Sequence, residues 1–396
     1  MLISEVYKIC FIGGTRYSKP LNSTHAKKFW KLKGLVRHIF VIGFSQSLWP
    51  YWFKEGALFL LLPKIPFPVL RYVEMAVLGF LLLLLLILFC GIQIIIAQSP
   101  YEGFIGAMAK SIARILGRQV ALVVENHGDF EVSLFLQRHV WVPSLYRFLM
   151  RQIASFAFRH ADILRAVSNS TRLQLERWAP AKPIVQFAAW TDIEVFLAAG
   201  ERREQKKKLP EILYVGTLIP CKGVHFLVEA FARIAPTFPK ARLVIIGKAE
   251  NVEYAALLKR QVRNLGLDRQ VEFLSPMSQT DLAWRMAKAC VLVLPSLSEG
   301  LGRVVFEAMA CGTPVIGSQV GGIPEMIKDG VNGFLVPPGN IDALADRLRW
   351  FLEHPVEARQ MGQRAREFAR KFFSSEAYIQ NYARLFVLAL KAIRRK

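Results

Sequence analysis

From Met75 to Tyr101 the chain carries no charged residue. The apolar core of a bilayer is spanned by about 20 residues of helix, so the run is long enough to cross one. Gly91 divides it. Before the glycine, around the unbroken leucines 81 to 86, it reads as a helix from Met75 to Phe89. After it, Ile92-Gln93-Ile94-Ile95-Ile96-Ala97 is β-branched and reads as a buried parallel strand. A crossing helix would leave the strands before it and the strand after it on opposite sides of a membrane, unable to share a sheet. The helix is therefore expected either in the core or laid shallowly into lipid as a monotopic element. The second is favoured, because a helix apolar all round has more surface than one sheet face can cover.

A second segment carries chemistry. Val291 to Leu294 reads as a buried strand, Ser296 to Gly302 as a flexible turn, and a helix begins near Arg303. Thr313 to Gly317 reads as the next buried strand. Glu299 lies in the turn and Glu307 about one turn into the helix, with seven residues between them. Backbone N–H groups at the helix start favour an anion. The arrangement suits a ligand with phosphates in the middle and hydroxyl-rich groups at both ends, such as a nucleotide sugar.

Glu299 to Gly312 resembles the signature of the retaining glycosyltransferases of family 4. Gly216 to Gly223, Val320 to Ile327 and Gly330 to Gly339 resemble that family too, and the likeness is strongest from Ile212 to Gly339. The resemblance implies a GT-B fold: an α/β chain of two Rossmann-like doubly wound domains facing across a cleft. Residues 1–200 would form the acceptor-binding domain with membrane-associating helices, and 201–210, including the charged run Glu201 to Lys208, the linker. Residues 211–375 would bind the nucleotide sugar, and the helix 376–396 would cross back to the first domain.

The resemblance also implies roles. Glu299 would bind hydroxyls of the donor sugar, and Glu307 the ribose diol, which a carboxylate accepts well. Lys222 and the backbone of Gly300, Leu301, Gly302 and Arg303 would stabilise the diphosphate. Many members carry an arginine where Thr217 stands, so Arg303 is expected to supply the missing charge near Thr217. Gly14 would belong to a glycine-rich loop by the donor, with a plain strand-to-helix turn after Gly13 an equal reading. His127 follows the strand Val120 to Glu125 and matches the family's histidine beside the donor sugar; a helix-capping histidine is the other reading. Asp129 reads as an N-cap or an orienting partner. Ser275, Pro276 and Met277 would meet the nucleobase. His127, Glu299 and Lys222 form the expected catalytic set. The chain departs from the family at Trp190, Thr191 and Lys248, while Asp192 and Phe196 match it.

The 396 residues carry a formal charge of +22 and are 53% hydrophobic. That is room for two cores. No zinc-finger, helix-turn-helix or RNA-recognition signature accompanies the charge, so nucleic acid is not the expected partner. From Met1 to Lys54 nine Lys or Arg face one acid, Glu5. His25 to Gly34 reads as a basic helix with aromatic residues interleaved, a membrane-surface pattern. Lys27, Lys28, Trp30 and Lys31, with Phe80 and Leu83 of the apolar helix, are the expected membrane contacts. Met1 to Gly14 reads as a first strand and not as a signal peptide. Five scattered cysteines, Cys10, Cys90, Cys221, Cys290 and Cys311, read as reduced core thiols of a cytosolic protein.

These features predict a retaining, metal-independent glycosyltransferase at the cytoplasmic face of a membrane. It would move a sugar from a nucleotide diphosphate sugar to a lipid-linked acceptor hydroxyl, with no cofactor besides that substrate. A nucleotide-sugar epimerase of the same fold is one alternative. A catalytically degenerate nucleotide-binding membrane protein is another, to which Thr217 and Lys248 lend support.

Overall fold

In the computed structural model, which describes residues 7–132, 135, 142–202 and 210–394, short apolar runs pair side by side into two sheets. The first holds β1 (Lys8–Arg16), β2 (His38–Phe44), β3 (Tyr51–Glu55), β4 (Ala57–Leu62), β5 (Ile94–Ala97), β6 (Ala121–Asn126), β7 (Ile163–Ala166) and β8 (Ile184–Gln186). Their order is β3-β4-β2-β1-β5-β6-β7-β8, parallel throughout except for β3 on the edge. The second holds β9 (Glu211–Val215), β10 (Arg242–Ile246), β11 (Val271–Leu274), β12 (Val291–Leu294), β13 (Val315–Ser318) and β14 (Gly333–Val336). All are parallel, in the order β11-β10-β9-β12-β13-β14. Counted within the unit this is the doubly wound order in which the chain starts at the centre and works outward in both directions. Without its edge strand, the first sheet repeats the order from β4 to β7. The central strands β5, β6 and β12 are buried along their whole length, because helices cover both faces of a parallel sheet.

One compact unit gathers the described residues up to Glu131, those from 142 to 190 and the C-terminal helix Ser375–Arg394. The other is built chiefly from Thr191–Ser374, so the helix Glu194–Arg202 lies within it. Glu201 and Arg202 end that helix; the rest of the expected linker run, 203–208, lies outside the described residues.

The basic helix spans Ser23–Lys33, and the Asn22 side chain caps it by accepting from the His25 amide. Its apolar positions Phe29 and Leu32 are three apart and both fully buried. Phe29 meets Phe11 and Phe59 edge-on, with centroids 5.9 and 5.2 Å away. Burying side chains of this size stabilises by about 1.5–3 kcal/mol each. Two of the expected membrane contacts also have partners inside the unit. The Lys28 ammonium lies 5.3 Å from the Phe11 centroid, and Lys31 bonds Ser375 and pairs with Glu376 at 3.3 Å. Lys27 is half-buried and Trp30 is 55% exposed.

The helix Pro68–Glu74 leads into the uncharged run, which forms a π-helical turn at Met75–Gly79 and the helix Phe80–Cys90. Leu70–Cys90 is long and apolar enough to cross a membrane, with a third of its most apolar window buried. It does not divide the sheet, since β1 pairs with β2 from before the helix and β5 from after it. Gly91, in the left-handed region with φ 70°, ends the helix and frees the chain for β5. One face enters the core: Met75, Leu83, Leu86 and Ile87 are buried, and Phe80 packs half-buried against them. The other faces outward, with Leu81, Leu85 and Phe89 exposed by 48, 51 and 80%. Leu83, at 0% exposure, is therefore a core residue and not a membrane contact.

The glycine pair near the N-terminus differs from expectation, and further elements emerge only in the structure. Gly13 and Gly14 lie inside β1, which runs on to Arg16 after a register irregularity. A Cβ on Gly13 would fall 2.0 Å from Oε1 of Gln98, so the glycine serves a close approach and not a turn. Pro100 to Gly103 form the first turn of the helix Pro100–Ile115, because proline at the first helical position starts a helix. β8 stops at Gln186, and Trp190 is buried outside it. The strand β3 and the helix Val252–Asn264 had no sequence counterpart. Among the described residues three helices follow Gly339, Ile341–Glu353, Pro355–Phe372 and Ser375–Arg394, with Pro355 starting the second.

The two faces of the apolar helix make distinct predictions. Leu83→Ala should cost about 2–5 kcal/mol in urea unfolding, as a cavity in a packed core does. Leu85→Ala should stay within about 0.5 kcal/mol. Equal losses would contradict the assigned faces.

Candidate active site

A doubly wound sheet binds ligands beyond the carboxyl ends of its strands, where the strand order reverses. In the second unit that point lies between β9 and β12. The loop after β9 contains the short turn Pro220–Lys222, and the loop after β12 runs from Pro295 to Gly302. They are stitched together: the Leu297 amide donates to the Cys221 carbonyl at 2.8 Å. Gly223, at φ +64°, packs so closely that a Cβ would lie 2.1 Å from the Pro295 carbonyl oxygen. This brings Lys222 to Glu299, with Nζ 2.5 Å from Oε1. Ser296 Oγ donates to the same oxygen at 2.9 Å. The two charged side chains are 21% and 10% exposed. The loop after β13 closes over the pair, as the Gly322 amide donates to the Gly300 carbonyl at 3.1 Å. Gly321, at φ +57°, lies where a Cβ would be 1.9 Å from the Glu299 carbonyl oxygen.

The helix Arg303–Ala310 starts directly after Gly302 without a side-chain cap. Its first-turn amides and dipole suit an anion. Arg303 is exposed at that start and Glu307 is half-buried one turn on. Burial raises the Glu307 pKa, Arg303 draws it back, and Asp192 adds to the rise. Thr217 offers its carbonyl to the Tyr214 hydroxyl at 3.0 Å. Ser275 and Pro276 are exposed and Met277 half-buried, after β11 at the same edge of the sheet. Among these residues the structure joins Lys222, Glu299 and Ser296 by direct contact. Ser296 was not foreseen as a partner, although its place at the end of β12 was the available signal.

The first unit holds Gly14 and His127. Gly14 lies beside the buried Glu102 carboxylate, where a Cβ would be 3.6 Å from Oε1, and Ser99 Oγ bonds that carboxylate. Burial raises the Glu102 pKa. His127 leaves the end of β6, and its Nε2 lies 2.7 Å from Glu125 Oε2. Glu125 is 1% exposed, and its other oxygen accepts from Arg165 Nη1 at 2.8 Å and from the Tyr382 hydroxyl at 2.7 Å. Glu125 and Arg165 are register partners on β6 and β7. Against the desolvation that burial imposes, Arg165 and His127 hold Glu125 well below the usual carboxylate range. Burial lowers the His127 pKa, and the bond to Glu125 opposes that fall. Asp129 Oδ1 accepts from the Glu131 amide and from Gln174 Nε2, both at 2.9 Å, so it braces the loop. Glu125, Arg165 and Tyr382 escaped the sequence reading. The signal was a single charge inside each of two short strands that are buried throughout.

Comparison with known proteins places this chain in a family. The family model of glycosyl transferases group 1 matches residues 199–368, which include Lys222, Glu299 and Glu307. The chain is 30% identical to N-acetyl-alpha-D-glucosaminyl L-malate synthase of Bacillus anthracis over 284 residues, 70% of each chain. It is 34% identical to D-inositol 3-phosphate glycosyltransferase of Kribbella flavida over 193 residues, 46% of this chain and 45% of that one. Sucrose-phosphate synthase from Thermosynechococcus elongatus superposes with a TM-score of 0.80 at 22% identity, covering 98% of this chain and all of that one. Anabaena Alr3699/HepE in complex with UDP-glucose gives 0.71 at 22% identity, covering 96 and 99%. The fold is GT-B, and the chain belongs to the group 1 glycosyl transferases.

Removing one partner of a largely buried ion pair leaves the other uncompensated. Lys222→Met should therefore destabilise the ligand-free protein by about 1–3 kcal/mol in urea unfolding. The double variant Lys222→Met with Glu299→Gln should recover at least half of that loss. Simple additivity of the two substitutions would show that the pair is not coupled.

Proposed function

We propose that this glycosyltransferase transfers a sugar with retained anomeric configuration, without a metal, from a nucleotide diphosphate sugar to the hydroxyl of a lipid-linked acceptor. The observation that carries this reading is the Lys222–Glu299 contact beside an uncapped helix start. The bond from the anomeric carbon to the β-phosphate oxygen breaks, and charge grows on the leaving diphosphate. Lys222 and the backbone at Gly300, Leu301, Gly302 and Arg303 neutralise it, and the Arg303 side chain replaces the cation absent at Thr217. When the donor arrives, Lys222 exchanges Glu299 for phosphate, and Glu299 is released to the sugar hydroxyls. Glu307 takes the ribose diol, and Ser275 to Met277 meet the base. Gly14 and His127 are assigned to the donor sugar. The departing phosphate takes the acceptor proton on the same face as attack. A carboxylate, an ammonium and a helix dipole can do this electrostatic work without a divalent ion.

The relatives' names record small hydroxyl-bearing partners, L-malate and D-inositol 3-phosphate. This chain exposes Trp30, Trp49, Trp52, Leu81, Leu85 and Phe89 in its first unit, in a protein of charge +22. Apolar and aromatic side chains beside basic ones favour an anionic lipid surface, which supports a lipid-linked acceptor and attachment to the cytoplasmic face of a membrane.

The test is turnover across UDP-, GDP- and ADP-sugars, with and without anionic liposomes, and with a chelator. UDP-glucose comes first, since it is the ligand in the HepE structure. One donor should be hydrolysed slowly, faster with liposomes, unaffected by chelator, and should give product of unchanged anomeric configuration. An epimerase would return an isomerised nucleotide sugar, and a degenerate protein would bind without turnover. Arg303→Ala should weaken donor binding by about tenfold or more, as loss of a charged hydrogen bond does. Unchanged affinity would remove Arg303 from the site.

A further inference from the structure

The buried network behind His127 carries a role of its own. Glu125 is the one charged residue of its strand, Ala-Leu-Val-Val-Glu-Asn, every residue of which is buried. Arg165 answers it from the next strand at 1% exposure. Two buried charges are a weak way to hold strands together, because desolvation offsets most of their attraction. What distinguishes this pair is its orientation. Arg165 and Tyr382 both bond Oε1, and among the described residues Oε2 is bonded by His127. Arg165 is itself fixed: Nη2 donates to the carbonyls of Phe187 and Ala188 at 3.4 and 3.1 Å, and its guanidinium lies 3.9 Å from the Phe187 ring centroid. Tyr382 comes from the C-terminal helix Ser375–Arg394, more than 250 residues along the chain from Glu125.

An ionised carboxylate can only accept, so the proton between the two side chains belongs to His127 Nε2. A neutral imidazole with its proton there has a lone pair on Nδ1. No hydrogen bond to Nδ1 is formed among the described residues, and the ring is 39% exposed. The backbone on either side is held, with Asn126 Nδ2 on Gln174 at 2.9 Å and Asp129 braced by Gln174. We propose that Glu125, held by Arg165 and Tyr382, is a positioning residue that fixes His127 as the Nε2–H tautomer and aims Nδ1 as an acceptor for a hydroxyl of the bound sugar. The C-terminal helix is thereby part of the machinery of the first unit. The sugar contact rests on the proposed function; the tautomer does not.

The test uses the full chain with ¹⁵N-labelled histidine. The His127 ring signals, assigned by their loss in His127→Ala, should show a protonated Nε2 and an unprotonated Nδ1 in the wild-type protein at neutral pH. Glu125→Gln should abolish the single tautomer and lower donor turnover about tenfold or more. Tyr382→Phe keeps the ring and removes one bond to Glu125, and serves should the first variant fail to fold. It should lower turnover by about threefold to tenfold, and by nothing further when His127 is already alanine. A wild-type ring protonated on Nδ1 would overturn the proposal, as would an equal loss from Tyr382→Phe with and without His127. If no nucleotide sugar is turned over, the proposed function falls, while the tautomer stands or falls on the spectrum.

Discussion

A parallel sheet covered on both faces has no room for an unpaired charge, so polar chemistry collects where its strands end. Both units obey that constraint. In the second, Lys222 and Glu299 follow β9 and β12 and find each other across two loops locked by backbone contacts. In the first, His127 follows β6, and the carboxylate behind it is admitted to the sheet only because Arg165 stands in register on β7. The close glycine contacts serve the same end. Gly223 and Gly321 let neighbouring loops approach to distances that a side chain would forbid. The geometry around Glu299 is thus set by backbone packing before any ligand arrives.

The apolar helix shows how one sequence pattern serves two solvents. Its composition is uniform, so the sequence carries no label for its inner and outer faces. The fold supplies the label: residues turned toward the helix Pro100–Ile115 and the core cluster are buried, and those on the far side remain exposed. Met75, Leu83 and Ile87 then behave as core, while Leu81, Leu85 and Phe89 form an outward apolar face. Uniform hydrophobicity hides such a division, whereas the amphipathic helix Ser23–Lys33 announces its buried Phe29 and Leu32 by spacing.

Much of the fold was legible because parallel strands are short apolar runs bounded by glycine or proline. The limits of β12 and the start of the helix Arg303–Ala310 match their sequence signals, and Gly91 separates helix from strand as its left-handed backbone requires. Where the reading missed, a local signal was overruled by a distant partner. Gly13 and Gly14 look like a turn but sit in β1, since Gln98 from beyond β5 needs the space. The short Tyr51–Glu55 edge strand depends on pairing with β4, which no local pattern reveals. Of the site, the residues that share a loop or helix were readable from their spacing. Glu125, Arg165 and Tyr382 come from three elements far apart in the chain, and only folding brings them together.

The central claim is that the loops after β9 and β12, with the helix start that follows, form a diphosphate site. Calorimetric titration of the wild-type and Lys222→Met chains with nucleoside mono- and diphosphates tests it most directly. The account predicts that one diphosphate binds, that its monophosphate binds more weakly, and that Lys222→Met loses about tenfold or more in diphosphate affinity. Equal affinity of the two chains for the diphosphate, or no binding to either, would contradict it.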